Sequence, residues 1–220
     1  MKLEKYLETT NVKPDATAAQ IEELCGDAVK YGFPAIDIRP QWLSLALERL
    51  RGTGIEIAVS TSDTTKAMTP HELGEMASKL IREGADRIAV RINRKALAEG
   101  DLELVKRELE AVVTCGGKGS KNVSVEAVFE CSQMSHDQKL MACQISTEIG
   151  ATYVASGIRE TTVEDVRLLR SVLPERVKVK ASGGVRTGLQ AWQLIGAGAE
   201  RVGTSTAVHV LQTQSREDAS

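Results

Sequence analysis

Short runs of apolar and β-branched residues alternate with helical segments eight times along this chain of 220 residues. Such alternation is typical of repeated strand and helix units, which set parallel strands side by side and pack helices outside them. Eight units are best satisfied by a closed (β/α)8 barrel, and an open doubly wound sheet is the alternative. We therefore predict an α/β fold, a single-domain (β/α)8 TIM barrel over residues 1–220. Its chemistry should lie at the carboxyl ends of the strands.

The predicted strands are Tyr6–Thr10, Ala35–Ile38, Glu56–Ser60, Arg87–Ile92, Val123–Phe129, Tyr153–Ser156, Val177–Ala181 and Arg201–Thr204. Helix start signals lie between them. Thr17 and Gln20 have capping-box spacing, and Thr69-Pro70 and Thr162 precede other helical segments. No linker divides the chain, and its loosest stretch, residues 116–121, is short for a domain boundary.

Composition narrows the possible partners. The chain is 42% hydrophobic but only 3% aromatic, so we expect an aliphatic core. Its 28 basic and 30 acidic residues form no basic stripe, which argues against nucleic acid as a partner. No apolar run is long enough to span a membrane and no signal-peptide core is present, so we expect no membrane partner and a cytoplasmic location. The four cysteines stand apart without nearby histidines, which indicates reduced thiols and no metal site.

Two glycine-containing turns near the end of the chain predict an anion site. The segments Lys180–Thr187 and Gly203–Thr206 each follow a predicted strand and lead into a helix. Backbone N–H groups can approach an anion closely at such turns, and in an eight-stranded barrel a phosphate often lies between the loops after strands seven and eight. Tight turns alone are the alternative role for these glycines. The residues predicted to bind phosphate are Gly183, Gly184, Gly203 and Ser205, with Arg159 and Arg186 as further candidates.

The same block, Lys180-Ala181-Ser182-Gly183-Gly184-Val185-Arg186-Thr187, resembles the deoxyribose-5-phosphate aldolase family. The resemblance runs from Leu7 to Val208 and includes Val12–Thr17, Tyr31–Phe33 and Asn93–Leu97. It implies a barrel that is often a dimer and that makes or breaks carbon–carbon bonds without a cofactor. In that family a lysine on strand six forms a Schiff base, a lysine on strand seven tunes it, and an aspartate on strand four helps to move protons.

Two of those three catalytic groups are missing from this sequence. Ala155 stands at the position of the Schiff-base lysine, and Ala89 stands at the position of the aspartate. Only Lys180, which matches the strand-seven lysine, is retained. The segment Ser156–Thr161 is also shorter than the loop of the family. We therefore expect a divergent member that does not cleave deoxyribose 5-phosphate at the usual rate of the family.

Other strand positions carry charges that alternation places on inward faces. These are Asp37, Arg91 and Glu126, and because a buried unpaired charge is costly, they and Lys180 need one another or a ligand. For Lys180 we consider three roles, namely a Schiff-base nucleophile, a cationic proton donor or oxyanion stabiliser, and a structural ion pair. Arg91 is a candidate for binding an anionic group of the ligand.

Two classes of function remain open at this point. The first is an enzyme that acts on a small phosphorylated carbonyl compound through Lys180, Asp37 and Glu126, by lyase or aldolase chemistry or by acid–base isomerisation or cyclisation. The second is an inactive pseudoenzyme that binds a phosphorylated metabolite or a partner subunit. For either, we expect no cofactor and no metal, and the resemblance implies a homodimer.

Overall fold

Eight parallel strands close into a barrel in chain order, with β8 paired to β1. The computed structural model describes residues 1–61, 68–116 and 123–217. The strands are β1 Leu7–Asn11, β2 Ala35–Ile38, β3 Glu56–Ser60, β4 Arg87–Arg91, β5 Ser124–Val128, β6 Tyr153–Ala155, β7 Lys178–Ser182 and β8 Arg201–Thr204. The predicted (β/α)8 barrel is confirmed. Three strands have the predicted bounds, and each of the other five differs by one residue at one or both ends.

Helices cover the outside of the barrel. In the described ranges they are α1 Ala18–Tyr31, α2 Leu43–Arg49, α3 Pro70–Glu83, α4 Arg94–Glu99, α5 Leu102–Gly116, α6 His136–Glu148, α7 Val163–Val172, α8 Gly188–Gly196 and α9 Ala207–Glu217. Two helices, α4 and α5, follow β4, where the sequence pattern suggests one. The predicted capping box at Thr17 is present, since the Thr17 N–H donates to Gln20 Oε1 at 3.0 Å and the Gln20 N–H donates to Thr17 Oγ1.

The core has two layers of different chemistry. Between strands and helices it is aliphatic, as composition predicts, with residues such as Ile21, Ile88 and Leu169 fully buried. Inside the barrel the packing also includes charged side chains, and Glu8 and Arg87 are fully buried there. Charged residues occupy alternate positions of the strands, and alternation turns those positions inward. The inside of the barrel is therefore held by ion pairs.

Within the loosest stretch of the sequence, residues 117–121 lie outside the part of the chain that the structure describes. Among the helices that the structure describes, none has both the length and the apolar composition needed to cross a membrane.

Candidate active site

A cavity of about 1050 Å³ opens at the carboxyl ends of the strands. Its wall contains all ten residues that the sequence predicts for the site, because each lies on the inward face of a strand or in a loop just beyond a strand end. They are Asp37, Arg91, Glu126, Arg159, Lys180, Gly183, Gly184, Arg186, Gly203 and Ser205. Strand alternation and the position of the loops thus assemble in one place residues that are far apart in the chain.

Lys180 lies at the bottom of this cavity and is 2% exposed. It projects inward from β7, and its Nζ lies 3.1 Å from Asp37 Oδ2 on β2 and 3.1 Å from Glu126 Oε1 on β5. The same ammonium donates to Glu8 Oε1 on β1. An ammonium has three N–H donors, so three carboxylates satisfy it.

Arg87 joins the same carboxylates from the side of β4. Its guanidinium pairs with Glu8, and its Nε lies 3.1 Å from Glu126 Oε2. The guanidinium also stacks over the ring of Tyr153, 4.5 Å from the centroid. Glu8, Asp37, Arg87, Glu126 and Lys180 together form what we call the ionic cluster. It contains three acids and two bases, so it holds one negative charge when all five are ionised.

Mutual pairing shifts the protonation equilibria inside the ionic cluster. Burial alone would raise the pKa of the Glu8 carboxyl, but Arg87 and Lys180 outweigh it and lower that pKa from 4.5 to about 2. Burial alone would lower the pKa of the Lys180 ammonium, but Glu126, Glu8 and Asp37 outweigh it and raise that pKa well above 10.5. For Glu126, burial outweighs Lys180 and Arg87 and raises the pKa. Lys180 is therefore a fixed cation, and Glu126 holds a proton more readily than Glu8 does.

Sequence reasoning missed Glu8 and Arg87. It sought partners for Asp37, Glu126 and Lys180, which the structure does bring together, and it grouped Arg91 with them. The usable signal was alternation, since Arg87 shares an inward face with Ala89 and Arg91 on β4. Alternation gives the face of a residue but not its depth, and Arg87 lies two inward positions below Arg91, with Ala89 between them.

Small apolar side chains stand at the two positions where the family resemblance predicts that catalytic groups have been replaced. Ala89, Val128 and Ala155 form their own buried cluster, separate from the aliphatic outer layer. Ala155 is in register with Lys180 across β6 and β7, and Ala89 is in register with Glu126 across β4 and β5. In the described part of the chain, no second amine therefore lies next to Lys180 on β6.

Close approach of neighbouring groups explains two of the glycines. A Cβ at Gly203 would lie 2.9 Å from Lys180 Cε. A residue without a side chain is therefore needed at position 203 for Lys180 to extend into the barrel. A Cβ at Gly183 would lie 2.9 Å from the carbonyl carbon of Ile158, in the short loop after β6. That loop is tied down, because the Thr161 N–H donates to the Gly183 carbonyl at 3.1 Å and Ser182 Oγ donates to the Gly157 carbonyl at 2.5 Å.

Backbone donors at the same loops remain free. Within the described residues, the N–H groups of Gly183, Gly184 and Ser205 have no hydrogen-bond acceptor. Gly184 and Ser205 are exposed at the cavity, as are the side chains of Arg159 and Arg186. Free N–H groups and cations at one edge are suited to an anion, because unsatisfied donors attract negative charge.

Arg91 differs from the buried bases of the ionic cluster. It lines the cavity from the end of β4, and its buried Nε has no hydrogen-bond partner within the described ranges. Arg39, at the end of β2, has its Nε bound to the carbonyl of Val12 at 2.8 Å. As for metals, the described residues contain no group of three or more His, Cys, Asp or Glu side chains arranged to hold one.

The fold and this site define a (β/α)8 barrel with a buried lysine at the carboxyl ends of its strands. No family model matches the chain. Among curated proteins, the deoxyribose-phosphate aldolase of Thermococcus gammatolerans is 38% identical over 218 residues, covering 96% of both chains. That of Streptococcus gordonii is 35% identical over 216 residues, again covering 96% of both. The chain belongs to the deoxyribose-phosphate aldolase family.

A solved structure agrees with that assignment. The deoxyribose phosphate aldolase of Aeropyrum pernix, described as a tetramer, superimposes with a TM-score of 0.87 at 25% sequence identity. The match covers 97% of this chain and 91% of the other. The family that the sequence motifs suggest is thus confirmed.

The lowered pKa of Glu8 gives a prediction about stability and pH. A carboxyl whose pKa is lowered on folding stabilises the protein above its unfolded pKa, and this contribution is lost as the pH falls toward the folded pKa. We expect Glu8→Gln to cost up to about 3 kcal/mol of unfolding free energy at pH 7. The difference from wild type should shrink between pH 5 and pH 2, as measured by urea unfolding.

Glu56→Gln is the matched control, because Glu56 lies 3.5 Å from Arg87 Nε but is 24% exposed. Glu56→Gln should lower the unfolding free energy much less than Glu8→Gln does. A pH-independent difference between Glu8→Gln and wild type would contradict the assigned pairing.

The contact between Gly203 and Lys180 gives a second prediction. We expect Gly203→Ala to displace Lys180 and to lower the unfolding free energy by about 1–3 kcal/mol, as overpacking does. Gly196→Ala in α8 is the control, since a Cβ there meets nothing within 4 Å. Urea unfolding of the two variants measures the difference, and equal stabilities would show that Lys180 does not pass this close to Gly203.

Proposed function

We propose that this protein is a divergent aldolase-family enzyme that acts on a small phosphorylated carbonyl compound by acid–base chemistry, without a Schiff base. The observation that carries the proposal is the position of Lys180 Nζ among three carboxylates at the bottom of the cavity. Ordinary cleavage of deoxyribose 5-phosphate is not part of the proposal.

The state of Lys180 favours a cation over a nucleophile. Attack on a carbonyl needs a neutral amine with a free electron pair. Lys180 instead donates to Glu8, Asp37 and Glu126, which raise its pKa. An ammonium in this place supplies positive charge to a developing oxyanion, the second of the roles considered for it.

Asp37 and Glu126 complete the chemistry. Both line the cavity as well as contacting Lys180, whereas Glu8 supports Lys180 from below. We assign Asp37, held by the Ser60 hydroxyl at 3.0 Å, as the base that removes a proton from the carbon next to the carbonyl. The C–H electron pair moves into the C–C bond, and the carbonyl π pair moves onto oxygen, which becomes an enolate beside Lys180. Glu126, whose pKa is raised, is protonated at the start and gives its proton to the enolate. Asp37 keeps the proton that it removed, and transfer of one proton from Asp37 to Glu126 through solvent in the cavity restores the starting state.

An enolate is the intermediate that aldol formation, aldol cleavage, isomerisation between aldehyde and ketone, and ring closure through carbon have in common, and none of them needs a covalent amine intermediate. In the cleavage direction the base removes the proton of the β-hydroxyl group instead, and the breaking C–C bond leaves its electron pair on the enolate. The acid–base assignment therefore covers both the lyase and the isomerase or cyclase versions of the function.

The proposed substrate carries a phosphate group, through which the protein binds it. The free N–H groups of Gly183, Gly184 and Ser205, with Arg159 and Arg186 beside them, support this assignment. Relatives named deoxyribose-phosphate aldolase support it further, since that name specifies a phosphorylated small molecule. The homodimer and the cytoplasmic location stay predictions.

One set of observations favours the second candidate, a binding protein without catalysis. Lys180 is nearly fully buried and satisfied by protein carboxylates, and alanines occupy two ancestral catalytic positions. For a carbonyl oxygen to reach Nζ, it must take the place of Asp37 or Glu126.

Hydrogen–deuterium exchange separates these candidates. We expect the wild type, incubated in D2O with a panel of phosphorylated aldehydes and ketones that includes dihydroxyacetone phosphate, to exchange the proton next to the carbonyl of at least one compound, as followed by proton NMR. Asp37→Asn should slow this exchange about 100-fold or more, because the base is removed without loss of size. Lys180→Met should abolish it.

Borohydride treatment with peptide mapping is the companion measurement. Labelled Lys180 would overturn the acid–base assignment in favour of a Schiff base. Binding of the compounds without exchange would instead support the binding protein.

The missing groups lead to a further expectation about deoxyribose 5-phosphate. Because Ala155 and Ala89 replace the nucleophile and the proton carrier, we expect acetaldehyde release at least about 1000-fold slower than from the Thermococcus gammatolerans relative assayed alongside. Acetaldehyde release is followed by coupling it to the oxidation of NADH by alcohol dehydrogenase. Equal rates for the two proteins would show that another amine of this chain acts as the nucleophile.

A further inference from the structure

Arg91 lines the wall of the cavity, and no residue that the structure describes pairs with its charge. In the parts of the chain that the structure describes, its side chain forms no ion pair, and its Nε is buried without a hydrogen bond. Lys180 and Arg87, by contrast, are each paired with two or more carboxylates. A guanidinium partly withdrawn from water and left unpaired is costly unless a ligand completes it.

Strand order places Arg91 opposite the proposed phosphate site. It ends β4, whereas the glycine loops follow β7 and β8, and in a closed barrel of eight strands β4 lies diametrically across from β8. Lys180, Asp37 and Glu126 lie between the two, at the bottom of the cavity. A molecule held at both walls therefore crosses the ionic cluster.

The surroundings of Arg91 are suited to an incoming anion. Its registered neighbour on β5 is Val128, and the inward residue before it on β4 is Ala89, so neither supplies a competing carboxylate. A guanidinium offers a planar fork of donors that matches a carboxylate with two parallel hydrogen bonds.

From this arrangement we infer that the substrate carries a second anionic group, a carboxylate, which Arg91 binds opposite the phosphate. The inference rests on the proposed function and names its substrate class as phosphorylated carbonyl acids. Arg91 is then a specificity-determining residue, because it selects the acid over the corresponding alcohol or aldehyde and aligns the carbonyl over Lys180.

Matched ligand pairs test this inference directly. The probes are 3-phosphoglycerate against glycerol 3-phosphate, and the longer 6-phosphogluconate against glucitol 6-phosphate, with inorganic phosphate as reference. Isothermal titration calorimetry gives the Kd of each for the wild type, Arg91→Met and Arg91→Lys. Thermal unfolding with and without inorganic phosphate verifies that each variant is folded.

For the wild type we expect at least one acid to bind about 10-fold or more tightly than its alcohol, which is the usual strength of a charge-assisted hydrogen-bonded pair. Arg91→Met should remove this preference while leaving the Kd of the alcohol unchanged. Arg91→Lys should keep part of the preference for the acid, because lysine retains the positive charge but lacks the planar pair of N–H donors of a guanidinium.

Three results would overturn the inference. If the alcohols bind and each acid has the same Kd as its alcohol, the proposed carboxylate site is wrong, whereas the proposed phosphate site is still supported. A preference for the acid that survives unchanged in Arg91→Met would assign it to another cation. Failure of every phosphate ester and of inorganic phosphate to bind would overturn the proposed phosphate site together with the inference.

Discussion

The pairing of Lys180 and Arg87 with Glu8 is the interaction on which the inside of this barrel depends. All three side chains are almost completely removed from water, and a buried charge is tolerated only when opposite charges surround it. Removing one member of such a group leaves the others buried without an opposite charge. The resulting loss of unfolding free energy is much larger than the stability that the intact group adds relative to apolar side chains of the same size. The cluster therefore constrains its surroundings, including the bare Gly203 that lets Lys180 reach across the barrel.

The same cluster sets the chemistry that the site can perform. With three carboxylates around it, Lys180 is held as an ammonium, which is a fixed positive charge at the bottom of the cavity. Ala155 and Ala89 leave an apolar wall, and charge is concentrated on Asp37, Glu126 and Lys180 instead.

Much of the fold and of the site wall could be predicted from the sequence. Short runs of β-branched and apolar residues, capped helices between them and glycine turns specify βα units locally, so the bounds of the strands are predicted to within one residue. The site residues follow because strand ends and loops at one rim must meet. The ionic cluster could not be predicted in full, since Glu8 and Arg87 are 79 positions apart and nothing local relates them.

The sequence by itself determined the eightfold alternation and the inward faces of the strands, because each is a property of single positions or short spacings. Only the tertiary structure decided which of the charged residues pair with one another and how deep each of them lies. Arg87 and Arg91 show the difference, since both face inward from one strand. Closure of the barrel gives Arg87 its carboxylates and leaves Arg91 facing the cavity.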